Sequence, residues 1–227
     1  MKLCVALDLP SAKENIALAK DLAEFDIWLK VGFRSYVRDG KEFIMALKDI
    51  NPNFKIFLDL KLYDIPNTMG DTALEIANLG VDMFNIHASA GEVAMQEVMK
   101  RLKDIPNPPL VLAVTALTSF DNDSFKRIYG DSIENRAKEF AIMSYKNGLD
   151  GVVSSAFESR AIKEVTSRDF ITLCPAIRPF GEDAGDQQRV ATIELAKEEL
   201  VDFPVIGRPI YKDSNPKAKV AKILEII

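Results

Sequence analysis

Eight short apolar runs alternate with eight longer amphipathic stretches along this chain, and that alternation leaves few folds open to it. The apolar runs lie at 3–9, 26–33, 54–62, 81–88, 109–117, 150–155, 170–177 and 203–208. Runs this short, rich in Val, Ile, Leu and Phe, read as strands buried on both faces. The stretches at 11–24, 35–49, 68–79, 91–103, 134–147, 157–167, 188–199 and 216–226 read as helices. Ser11 and Ser35 stand where N-caps are expected, and Gly80 and Gly148 where helices end. Eight strand–helix units in 227 residues predict an α/β fold, a (β/α)8 TIM barrel occupying 1–227 as a single domain. An open sheet with a dinucleotide site carries a glycine-rich turn after its first strand, whereas here Asp8 is followed by Leu9-Pro10-Ser11.

The net charge of −5 argues against bulk binding to nucleic acid or to an acidic membrane. An anionic ligand must therefore be held by a local positive pocket. No apolar stretch approaches the ~20 residues that span a bilayer, and the apolar run at the start is too short for a signal peptide. A cytoplasmic protein is expected. Cys4 and Cys174 each lie inside an apolar run and read as buried free thiols. His87 is the only histidine, no Cys/His cluster has zinc-ligand spacing, and no dedicated carboxylate set suggests a metal.

The densest chemistry is in Phe57-Leu58-Asp59-Leu60-Lys61-Leu62-Tyr63-Asp64-Ile65-Pro66-Asn67-Thr68. Side chains two apart in a strand share a face, so Asp59 and Lys61 are expected to point one way and Leu58 and Leu60 the other. Asp64 lies just beyond, where Pro66 and Asn67 end the strand. Burying Asp and Lys carries a desolvation cost that apolar residues avoid, so these charges suggest a site that uses them.

Barrel chemistry sits at the C-terminal ends of the strands. Those ends hold Asp8, Lys30, Asp59, Lys61, His87, Thr118, Arg178 and Gly207-Arg208. Each could alone be a satisfied structural group, but their joint placement on one rim points to function. Phosphate often sits between the loops after strands seven and eight. There Arg178 and Arg208 offer forked donors, Gly207 permits close backbone approach, and Gln187 adds an amide. The segments 118–133 and 179–187 are long for plain connections and read as lids or binding loops.

With these motifs the chain resembles the orotidine 5′-monophosphate decarboxylases through nearly its whole length. The resemblance rests on ALDL at 6–9, LKVG at 29–32, DLKLYDIPNT at 59–68, VTALTS at 114–119, PAIRP with GDQ within 175–187, and VIGRP at 205–209. A related family of sugar-phosphate decarboxylases shares the Asp-x-Lys-x-x-Asp core. Ile-Pro-Asn-Thr after that core, with the Arg178 and Gln187 spacing, points to the orotidylate branch in its bacterial form.

The resemblance implies a homodimer, no cofactor, no metal and orotidine 5′-monophosphate (OMP) as substrate. It implies Lys61 as proton donor to C6 of the pyrimidine, with Asp59 beside the departing carboxylate and orienting Lys61. It implies that Lys30 bridges Asp59 and the ribose, that Asp8 binds a ribose hydroxyl, and that Thr118 contacts the base or its closing loop. Arg178, Gln187, Gly207 and Arg208 hold the 5′-phosphate, and Asp64 and Thr68 reach into the partner's site. One departure is visible: Ala176 stands where the family usually has glycine.

Decarboxylation at C6 leaves an electron pair in the ring plane that the π system cannot absorb, so stabilisation must come from electrostatics set in advance. Two other readings stay open. One is a magnesium-dependent sugar-phosphate decarboxylase of the 3-keto-gulonate 6-phosphate type on the same barrel. The other is a non-catalytic barrel binding a phosphorylated metabolite, which needs Arg178 and Arg208 but not the Lys30, Asp59, Lys61, Asp64 alternation. His87 is expected to be structural, and Tyr63 and Phe180 fit interface or lid packing.

Overall fold

A computed structural model of the chain describes residues 1–183, 185 and 188–227. The strands are β1 (Cys4–Ala6), β2 (Trp28–Gly32), β3 (Lys55–Leu62), β4 (Met83–His87), β5 (Leu110–Val114), β6 (Gly151–Val153), β7 (Ile171–Cys174) and β8 (Phe203–Ile206). They pair in parallel in chain order, and β8 closes on β1 with Cys4 opposite Val205. This is the barrel that the alternation predicts.

Strand alternation divides the apolar residues into two layers. Cys4, Ala6, Trp28, Phe57, Met83 and Leu112 belong to a cluster filling the barrel. Their neighbours Val5, Leu29, Ile56, Leu58, Phe84 and Val111 belong to a larger cluster shared with the helices. Both faces are dry, which is why the strands read as unbroken apolar runs. Fully burying one such Leu or Phe side chain stabilises by about 1.5–3 kcal/mol. Both cysteines are buried free thiols, Cys4 inside the barrel and Cys174 in the outer layer.

The helices are α1 (Ala12–Asp21), α2 (Phe33–Ile50), α3 (Pro66–Asn78), α4 (Glu92–Leu102), α5 (Asn122–Tyr129), α6 (Ile133–Lys146), α7 (Ala156–Val165), α8 (Ile193–Glu198), α9 (Arg208–Tyr211) and α10 (Pro216–Leu224). Ser11 caps α1 by accepting from the Glu14 N–H at 3.2 Å. Gly80 and Gly148 follow α3 and α6 with φ of 71° and 77°, left-handed stops that glycine takes at little cost. Ser35 is not a cap: α2 begins at once from Gly32, and the buried Ser35 hydroxyl donates to the Leu7 carbonyl at 2.9 Å. The 118–133 segment is not all loop. Asp121 caps α5 through the Ser124 N–H, and Phe125 packs α5 onto Ala116 and Ile133.

The N-terminal rim is held by a repeated device. Asp82, Asp150 and Asp202 each stand immediately before an even-numbered strand. Each accepts the N–H of the second residue of the preceding strand: Ile56, Val111 and Thr172. Carboxylates at this end secure the barrel, whereas those at the other end face the cavity described next. Among the described residues no helix is long and apolar enough to cross a membrane.

Candidate active site

A cavity opens at the C-terminal ends of the strands. Asp8, Lys30, Asp59 and Lys61 line it, and so do Thr118, Arg178, Gly207 and Arg208. Eight of the residues singled out along some 200 positions of sequence thus meet at one mouth.

The first four form a chain of alternating charge. Lys30 Nζ lies 3.2 Å from each Asp8 carboxylate oxygen and 3.5 Å from Asp59 Oδ2. Asp59 Oδ1 in turn accepts from Lys61 Nζ at 2.6 Å. Gly32 makes this approach possible, because a Cβ there would stand 2.9 Å from Asp8 Oδ1 and 3.0 Å from Lys30 Nζ. Burial disfavours the charged form of Asp59, but the ammoniums of Lys30 and Lys61 outweigh it and hold the carboxyl below its usual range. Burial likewise opposes the charge on Lys30, and Asp59 and Asp8 overcome it and raise its pKa. Asp59 and Lys30 are thereby both held in their charged forms at neutral pH.

Lys61 does not sit in regular strand. The β3–β4 register runs Leu58 to Phe84 and then Leu62 to Ile86, so β3 carries two residues more than its neighbour over this interval. Lys61 has a φ of 57°, the left-handed region that non-glycine residues rarely occupy. Its N–H leaves the ladder and donates to Asn85 Oδ1 at 2.7 Å, while Asn85 Nδ2 donates to Asp59 Oδ1 at 2.8 Å. Asn85 was not among the expected site residues. A polar residue between Phe84 and Ile86 in an apolar run was the available signal.

The second four surround the entrance. Arg178 is buried, with Nε donating to the Asp183 carbonyl at 2.8 Å and Nη1 to the Ile177 carbonyl at 3.2 Å. The Thr118 carbonyl accepts the Gln188 N–H at 3.3 Å, joining the loops after β5 and β7. The Arg208 guanidinium lies against Gly185, where an added Cβ would collide with Nη1. Tyr211, one α9 turn beyond Gly207, also lines the cavity and has no advance signal in the VIGRP motif.

Asp64 and Thr68 are exposed and do not line this cavity, and Gln187 lies outside the described residues. His87 is half-buried, its Nδ1 2.9 Å from Ser89 Oγ and its ring stacked on Tyr63. Burial and the charge of Lys61 both lower its pKa, so it is neutral at pH 7. Phe180 lies under the ammoniums of Lys219 and Lys222 on α10.

A closed parallel barrel whose mouth alternates lysine and aspartate beside two arginines defines an enzyme of the (β/α)8 class. The chain belongs to the orotidine 5′-phosphate decarboxylase / HUMPS family, whose sequence model matches residues 1–223. It is 71% identical over 227 residues to the orotidine 5′-phosphate decarboxylase of Sulfurovum sp. (strain NBC37-1), covering 100% of this chain and 99% of that one. It is 68% identical over 229 residues to that of Nautilia profundicola, covering 100% of this chain and 99% of that one. The crystal structure of orotidine 5′-phosphate decarboxylase from Lactobacillus acidophilus superposes with a TM-score of 0.85 at 32% identity, covering 99% of this chain and 98% of that one.

Proposed function

We propose that this chain converts OMP to UMP and CO2, a step of pyrimidine synthesis, without a cofactor. The observation that carries this reading is the Lys61 ammonium held 2.6 Å from Asp59 inside a cavity that Arg178 and Arg208 also line. Enzymes of this name at 68–71% identity over the whole chain support it.

In the reaction the C6–carboxylate bond breaks and its electron pair stays on C6. Lys61 Nζ stabilises that pair and then transfers a proton to C6, and the neutral amine regains a proton from water. Two unit charges about 4 Å apart interact by roughly 4 kcal/mol at an effective dielectric near 20. One ammonium therefore falls well short of the largest enzymatic barrier reductions, and remote binding must add to it. Arg178 and Arg208, with Gly207 and Gln187, hold the 5′-phosphate and so stabilise a closed site from which water is excluded. Lys30 and Asp8 hold the ribose, Thr118 meets the base or the loop over it, and Asp59 orients Lys61.

Asp64 and Thr68 serve the partner's site in a homodimer. Tyr63 and Ile65, which flank Asp64, are 64% and 66% exposed, as an uncovered interface requires. The negative net charge supports a chain with no nucleic-acid partner. A cytoplasmic location goes with a step of nucleotide synthesis.

The test follows OMP loss by absorbance in excess EDTA, with sedimentation to give the oligomeric state. Full activity in chelator is expected. No OMP turnover, or turnover restored only by magnesium, refutes the reading.

A further inference from the structure

We propose that Asn85 is a positioning residue for Lys61, acting through Lys61's own main chain and through Asp59. This rests on the decarboxylase reading above and adds a residue to it. Asn85 is fully buried on β4, next in line on the inner face to the apolar Met83. An aliphatic side chain would fill that position without the desolvation cost of an amide. Both halves of the amide are instead used by the two residues nearest the chemistry.

The contacts form a ring. The Lys61 N–H donates to Asn85 Oδ1, Asn85 Nδ2 donates to Asp59 Oδ1, and Lys61 Nζ donates to that same oxygen. Main chain and ammonium of one residue are thus tied together through a planar group on the adjacent strand. The ring stands where the β3–β4 ladder is interrupted, so the N–H that regular pairing would consume is available to it. It also holds Lys61 in a left-handed backbone conformation that an unsupported lysine would leave.

The chemistry of the partners sets the orientation of the amide: an N–H needs an acceptor and a carboxylate needs a donor. Asparagine supplies both at a fixed separation. A carboxylate supplies only acceptors, and an aliphatic residue neither. The amide touches Asp59 and Lys61 on β3; beyond these two lie Lys30 on β2 and Asp8 just past β1, with Cys4 on β1 and His87 on β4 in electrostatic reach of the same charges.

The test compares wild type, N85A and N85D as full-length protein in the OMP assay from pH 5 to pH 9, together with UMP affinity. N85A is expected to lose about 10- to 100-fold in kcat, the loss of hydrogen bonds around charged groups, with KM and UMP affinity near wild type. N85D is expected to be impaired at neutral pH and to recover toward low pH, where a protonated acid again donates to Asp59. The wild-type profile, which already contains His87, should lack that acid-side recovery. Wild-type kcat in N85A overturns the proposal. So does loss of UMP binding in step with turnover in both variants, or an N85D profile that superimposes on wild type. Absence of OMP turnover in wild type itself refutes the functional reading instead.

Discussion

Lys61 Nζ reaches Asp59 Oδ1 across 2.6 Å although the strand carrying both is irregular between them. Simple alternation predicts that the two share a face, and both do line the cavity. What brings the ammonium onto the carboxylate is a left-handed turn at Lys61, with the extra backbone absorbed against Asn85. Similar strained backbone recurs at Ala176, another residue of the cavity wall.

Lys61→Ala should lower OMP turnover by about a thousandfold or more, since it removes both the proton donor and the charge facing C6. UMP binding should persist, because Arg178, Arg208 and Lys30 are untouched. Stopped assays and calorimetric titration with UMP read the two effects, and near-normal turnover removes Lys61 from its role.

Arg208→Ala should lower kcat/KM by about 100-fold or more, as expected from losing charge-assisted bonds to a phosphate. Thermal stability should change little, because this side chain lies at the cavity rather than in the core. Orotidine without its phosphate should be a far poorer substrate than OMP. Equal reactivity of nucleoside and nucleotide contradicts the phosphate anchor.

Asp82→Asn should destabilise the fold at pH 7 by about 1–3 kcal/mol, by weakening the Ile56 N–H, Lys48 and Lys55 contacts. Burial works against the Asp82 charge, but those bonds prevail and its carboxyl titrates below the ordinary value of 3.8. A depressed carboxylate contributes stability that is complete above the unfolded value and is lost as pH falls through the folded one. The gap between wild type and variant should therefore narrow in acid. Urea unfolding at pH 7 and at pH 3 measures it, and a gap that widens in acid contradicts the assignment.

Ala176→Gly should raise stability by about 1 kcal/mol, because Ala176 holds a φ of 63° that costs an L residue steric energy and glycine almost none. The resemblance drawn from sequence already marked this position as one where glycine is usual. Turnover should stay within the range of wild type. Chemical denaturation decides the point, and a loss of stability on substitution runs against it.

The barrel was legible because each layer of it writes a period into the chain. Strands dry on both faces appear as short apolar runs, and helices dry on one face as amphipathic stretches. Ser11, Gly80 and Gly148 marked their helix ends because capping is local chemistry. Ser35 misled because its partner, the Leu7 carbonyl, is 28 residues away. The helix α5 leaves little trace in the sequence because eight residues inside a polar connection carry little periodicity.

By itself the sequence determined the eight-fold alternation, the charged residues at the strand ends, and the family, since these depend on residue type and spacing alone. Only the tertiary structure decided that eight of those residues converge on one cavity, that Lys61 leaves the ladder, and that Asn85 joins it to Asp59. The physical reason is that closure and register are set by pairing between strands. A two-residue mismatch between β3 and β4 exists only once both strands are side by side.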